Sequence, residues 1–164
     1  SSDASVEFTT AGWFDGTYKE LIFKPLNIAP ATNAVNFLMT FSTDGGSTYL
    51  SSTIHQYSSN GRQASGTNSN SDATGDTSVQ LNVTSNLGNA TNEAYSANIT
   101  MFDPSLSTWK RLLTFCVYDN TSGYSVYSTG SATVKTTTAI DAVKFAMSSG
   151  NIASGEIQVY GVRV

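Results

Sequence analysis

Apolar residues in this chain recur at every second position in segment after segment, with no run at the three- and four-residue spacing of an amphipathic helix. A period of two sends successive side chains to opposite faces of a pleated strand, so such a chain hides its apolar faces by building sheets. In 35–41, Val35, Phe37, Met39 and Phe41 share one face, opposite Asn36, Leu38 and Thr40. Segment 18–24 sets Leu21 and Phe23 against Glu20 and Lys24; 79–83 sets Val79, Leu81 and Val83 against Gln80 and Asn82. In 95–102, Tyr95, Ala97, Ile99 and Met101 fall together. In 109–118, Trp109, Leu113, Phe115 and Val117 align, but Leu112, Cys116 and Tyr118 make the other face apolar too, the mark of a central strand. Segments 49–57, 143–147 and 156–164 follow the strand pattern, and 124–127 with 131–137 reads as a hairpin pair. About nine or ten strands without a helix predict an all-β fold, a two-sheet antiparallel sandwich of jelly-roll-like form. Its predicted inward residues are Val35, Phe37, Phe41, Val79, Leu81, Val83, Leu113, Phe115, Val117, Val143, Phe145, Ile157 and Val159.

Turn residues separate these segments. Asp44-Gly45-Gly46, Ser122-Gly123, Gly150-Asn151 and Ser154-Gly155 supply the positive-φ positions that tight turns need. Pro25 has no N–H for a ladder and belongs at a strand end or edge. Segment 58–78 holds no large apolar side chain, so it reads as a long polar loop outside the core, mobile or ordered only against a neighbouring subunit. With 164 residues and no linker or repeat, 1–164 reads as one domain.

Charged residues make up only 12% of the chain, the net charge is −4, and the eight Lys and Arg form no stripe. Nucleic-acid binding leaves a basic footprint, so nucleic acid is not an expected partner. No apolar run reaches the length of a membrane helix, so no membrane association is expected. The chain starts Ser1-Ser2-Asp3-Ala4, without a basic and apolar leader or an initiator Met. That start reads as a signal peptide absent or removed, and as processing or trimming.

Chemistry-bearing constellations are sparse. Cys116, the only cysteine, lies in an apolar run and reads as a small buried hydrophobe. His55, the only histidine, reads as a strand-surface residue; no G-x-S-x-G elbow accompanies it. Glu20, Glu93 and Glu156 are scattered singly and form no glycosidase pair. Asn68, Asn70 and Asp72 alternate somewhat like a calcium loop, but the turn glycine is missing and Val79 stands where the bidentate Glu belongs. The N-x-[ST] triplets at Asn82, Asn89, Asn98 and Asn120 arise readily in so Asn-, Ser- and Thr-rich a chain. The expectation is therefore no enzyme, no metal and no cofactor. Flat aromatic rings remain as candidate interface or glycan-facing groups: Trp13, Tyr49, Tyr57, Tyr95, Tyr124 and Tyr127.

Both ends of the chain carry a resemblance. Tyr18-Lys19-Glu20-Leu21-Ile22-Phe23 leads through Ile28-Ala29-Pro30-Ala31-Thr32 into Val35-Asn36-Phe37-Leu38-Met39-Thr40-Phe41 and Ser42-Thr43-Asp44-Gly45-Gly46-Ser47-Thr48-Tyr49. The chain closes on Ile140-Asp141-Ala142-Val143-Lys144-Phe145 and then Ser149-Gly150-Asn151-Ile152-Ala153-Ser154-Gly155-Glu156-Ile157-Gln158-Val159-Tyr160-Gly161. These segments resemble a family of small β-sandwich proteins and domains of tailed-bacteriophage virions, found as capsid-surface or tail-fibre components. The resemblance implies a structural virion protein at the virion surface, assembled in the host cytoplasm. For a chain this short without fibrous repeats, it implies first a capsid decoration (cement) protein. Such a protein would bind the major capsid protein or other virion proteins as a homo-oligomer, a trimer, with 1–10 reaching a neighbour. Two rivals stand beside it: a receptor-binding tail-fibre or spike domain, and a non-catalytic carbohydrate-binding module, either facing a host-surface glycan.

Overall fold

A computed structural model describes residues 2–83 and 86–163. Thr84, in the triplet of Asn82, and Val164, the end of segment 156–164, lie outside the described residues, as do Ser1 and Ser85. The chain forms β1 (Ser5–Phe8), a single helical turn α1 (Ala11–Phe14), β2 (Glu20–Pro30), β3 (Phe37–Ser42), β4 (His55–Gln63) and β5 (Asn68–Asp76). It continues with β6 (Val79–Gln80), β7 (Tyr95–Phe102), β8 (Lys110–Asp119), β9 (Ser125–Val134), β10 (Ala142–Met147) and β11 (Ile152–Val162).

Two antiparallel sheets pack face to face. The small sheet has the order β1-β10-β3-β6, the large one β11-β2-β7-β8-β9-β4-β5. The antiparallel pairs β2–β11, β3–β10, β4–β9 and β7–β8 are nested about the middle of the chain, as when a hairpin is rolled up on itself. The expected β-sandwich is thus present, with most of its strands in one sheet.

The core lies where alternating residues of the two sheets meet. Phe37 and Phe145 of the small sheet pack against Tyr95 and Phe23 of the large one, with ring centroids 5.1 Å (Phe37–Tyr95) and 5.5 Å (Phe23–Phe145) apart. Most polar groups in the core are paired, as burial requires, the Nε2 of buried His55 being left without a hydrogen-bond partner. The Tyr95 hydroxyl donates to the Leu81 carbonyl at 3.2 Å, and Asn82 accepts from the Phe37 N–H at 2.9 Å. Lys110 is buried, yet its ammonium reaches the carbonyls of Leu106, Thr108 and Thr136 at 2.6, 2.7 and 3.3 Å. It thereby fastens the turn before β8 to the chain after β9.

Several expectations need correcting. Segment 58–78 is a hairpin, not a loop: β4 and β5 form one end of the large sheet, and β4 also pairs along its length with β9. Segments 124–127 and 131–137 are not two strands, since β9 runs unbroken from Ser125 to Val134. The strand expected over 49–57 starts only at His55. Leu113, Phe115 and Val117 point outward, at 54%, 57% and 46% exposure; Leu112, Cys116 and Tyr118 take the inward positions of β8. Ile157 and Val159 are half-buried at the margin of the core. His55 is fully buried, stacked on Phe41 with centroids 5.8 Å apart. Two small residues, Gly61 and Gly130, let β4 and β9 reach their places: a Cβ on Gly61 would lie 2.5 Å from the Tyr127 carbonyl oxygen, and one on Gly130 2.7 Å from the Ser59 Cβ.

Candidate functional site

Ladder register decides which side chains share the outer face of the large sheet. Counting across it, Leu113 of β8 stands opposite Thr100 of β7, Thr100 opposite Ile22 of β2, and Ile22 opposite Tyr160 of β11. One row along, Arg111, Phe102, Glu20 and Val162 form a second line; in the other direction Phe115, Asn98, Lys24 and Gln158 sit near one another. Leu113, Phe115 and Val117 make a ridge along the central strand, and Tyr160 (48% exposed) and Val162 (38%) extend the apolar surface to the sheet edge. Lys24 lies over the Tyr160 ring, its Nζ 5.4 Å from the centroid. Four strands at about 4.8 Å spacing, with four outward positions each, make a face on the order of 400 Å², on which the apolar side chains alternate with Thr100, Arg111, Glu20, Asn98, Lys24 and Gln158. The largest exposed apolar cluster of a monomer is often an interaction site.

The other half of the same face is polar. On β9, β4 and β5 the outward rows are Ser131-Ser58-Asp72, Thr129-Asn60-Asn70 and Tyr127-Arg62-Asn68. A shallow hollow of about 530 Å³ is lined by Gln56, Ser58, Asp72, Thr74, Ser131 and Thr133, among others. Two smaller hollows, about 350 and 270 Å³, lie on either side of Tyr127 and share Arg62. Asp72 accepts from Ser58 at 2.6 Å and from Asn70 at 2.7 Å, and these bonds hold its carboxyl below the ordinary range. The Asn68, Asn70, Asp72 alternation is therefore a strand face, and no metal-binding cluster of His, Cys, Asp or Glu occurs among the described residues.

The six candidate aromatics scatter. Tyr127 stands at the seam between the apolar and polar halves, 51% exposed; Tyr124, 45% exposed, sits in the β8–β9 turn. Tyr95 is wholly buried in the core and presents nothing to a partner. Tyr57 is half-buried on the inner side of β4, donating to Asp76 at 3.1 Å. Trp13 is half-buried against Tyr18, centroids 5.5 Å apart. Tyr49 is half-buried beneath Lys144, whose Nζ lies 4.0 Å from the ring centroid; burial, then the carboxylate of Glu7, push its phenol up to about 12. The ridge residues Leu113, Phe115 and Val117 were read as core from sequence. Because both faces of β8 are apolar, alternation alone gives no signal that would have placed them outside.

Groups with chemical potential are consumed structurally. The Cys116 thiol is buried, raised by desolvation, and 2.9 Å from the Ser128 hydroxyl. His55 Nδ1 lies 2.9 Å from the Asp76 carbonyl, with the ring sealed from solvent. Asp44 accepts from the Thr48 N–H at 2.9 Å and from Ser42 at 2.7 Å, closing the turn after β3. Asn82 and Asn120 of the N-x-[ST] triplets are buried and hydrogen-bonded. No family model matches this chain, and no curated protein matches its sequence.

Proposed function

We propose that this chain is a structural virion protein of a tailed bacteriophage, a capsid decoration protein. In this reading it docks on the shell through the apolar half of the large sheet's outer face. The observation that carries the docking is the ridge Leu113, Phe115 and Val117, exposed on the central strand of the large sheet and continued by Tyr160 and Val162. A specific contact buries about 1,000 Å² in all, or roughly 500 Å² per partner, a size that the four-strand face around this ridge approaches. The phage assignment rests on the resemblance at both ends of the chain. A ligand that binds only the assembled shell stabilises it by mass action, without chemistry. The partner is the major capsid protein, and the chain binds as a symmetric homo-oligomer, a trimer.

The experiment strips the protein from particles, adds back either wild type or the double variant Leu113→Ser/Phe115→Ser, and measures the thermal resistance of the shells. Because both side chains are outward, the variant should fold with stability within about 0.5 kcal/mol per site of wild type. Wild type restores resistance and the variant does not. Shells equally resistant with and without the protein would remove the decoration reading and put a receptor-binding tail-fibre domain in its place.

A further inference from the structure

Tyr127 and Arg62 occupy one row of the ladder, adjacent across β9 and β4, with Asn68 of β5 next in line. The Tyr127 ring is half open to solvent, and hollows on both sides of it are lined by Arg62 together with Asn60, Asn68 and Gln63. No ion pair or side-chain hydrogen bond engages the Arg62 guanidinium among the described residues. The nearest acids on this face are Asp72, two rows away and occupied by Ser58 and Asn70, and Asp119 of β8, one row from Tyr127 and accepting from the Ala94 N–H. A free cation in a chain with net charge −4 is thus held beside an exposed ring and a set of planar amides.

From this corner we infer a binding site for an acidic oligosaccharide, distinct from the apolar docking ridge. Each group matches one feature of such a ligand. A flat ring stacks on the C–H face of a pyranose. A guanidinium presents paired N–H donors that fit a carboxylate in bidentate fashion. Amide side chains both donate and accept, as vicinal hydroxyls require. The hollow lined by Ser58, Asp72 and Ser131 continues the polar surface along the sheet and gives further sugar units a place to lie. An apolar ligand would use neither the amide row nor the isolated charge, and a peptide would not need the flat C–H face that the Tyr127 ring offers a pyranose. The site goes beyond the decoration reading and shares no residue with the docking ridge.

The test titrates the isolated chain with sialyllactose and with trigalacturonate, using lactose as the neutral control, by saturation-transfer NMR and calorimetry. The expected result is saturable binding of a carboxylated probe at least tenfold tighter than lactose. Arg62→Gln reduces it to the lactose level and Tyr127→Ala abolishes it, while Leu113→Ala leaves it unchanged. Both binding-site side chains are exposed, and an unchanged melting temperature confirms that each variant folds. Absence of saturable binding by both carboxylated probes overturns the inference. So does binding that survives both substitutions, or lactose binding as tight as theirs. Shell docking is read on particles and depends on Leu113 and Phe115, so either proposal fails without the other.

Discussion

His55 shows how one buried polar side chain sets the response of this fold to acid. Its ring lies flat on Phe41, and Nδ1, 2.9 Å from the Asp76 carbonyl oxygen, must carry the proton to donate there. Desolvation lowers its pKa below the ordinary 6.5, outweighing the opposing pull of that carbonyl and of the Asp76 charge. A depressed pKa means that the unfolded chain takes up the proton first. The neutral ring therefore contributes its full stability above pH 6.5 and loses it as pH falls toward the folded-state value. The expected outcome is that the stability advantage of wild type over His55→Leu, from urea midpoints, shrinks between pH about 7.5 and 5. A difference that stays flat over that range would mean that the ring is solvated or paired in its charged form.

Among the elements, legibility depended on whether a strand has one apolar face or two. β7 alternates Tyr95, Ile99 and Met101 with Ser96, Asn98 and Thr100, and its extent and its two faces were readable, although Tyr95, on the inward face, stood among the candidate surface aromatics. β8 is apolar on both sides, so its central place could be inferred but its phase could not; a shift of one position exchanges core for surface. The β4–β5 hairpin was missed for the opposite reason. Its outward residues are polar and, past His55 and Tyr57, its inward ones are mostly small, Ser59 and Gly61 among them, so no hydrophobic period betrays it. Backbone pairing holds it, with β4 bonded to a strand on each side and β5 on one. Hydrogen exchange on the isolated chain should therefore find 55–63 strongly protected, and 68–76 less so, with the amides on its free edge fastest. Fast, uniform exchange across 58–78 would contradict the hairpin.

At the scale of the whole molecule, the two sheets have different tasks. The small sheet covers part of the inner face of the large one and closes the core, with Phe37, Met39, Phe41 and Phe145 supplying its bulk. The large sheet then offers its outer face, ridge on one half and hydroxyls and amides on the other. None of that division was legible from the candidate aromatics, of which Tyr127 alone stands on this face, because a ring enriched at interfaces is equally at home in a core. The central claim, that the ridge is what the protein docks with, is open to oxidative footprinting of free and shell-bound protein. The account predicts that Phe115 and Tyr160 lose most of their oxidation on the shell while Tyr124, exposed in the β8–β9 turn, keeps its own. Equal oxidation of Phe115 in the free and shell-bound protein would contradict it.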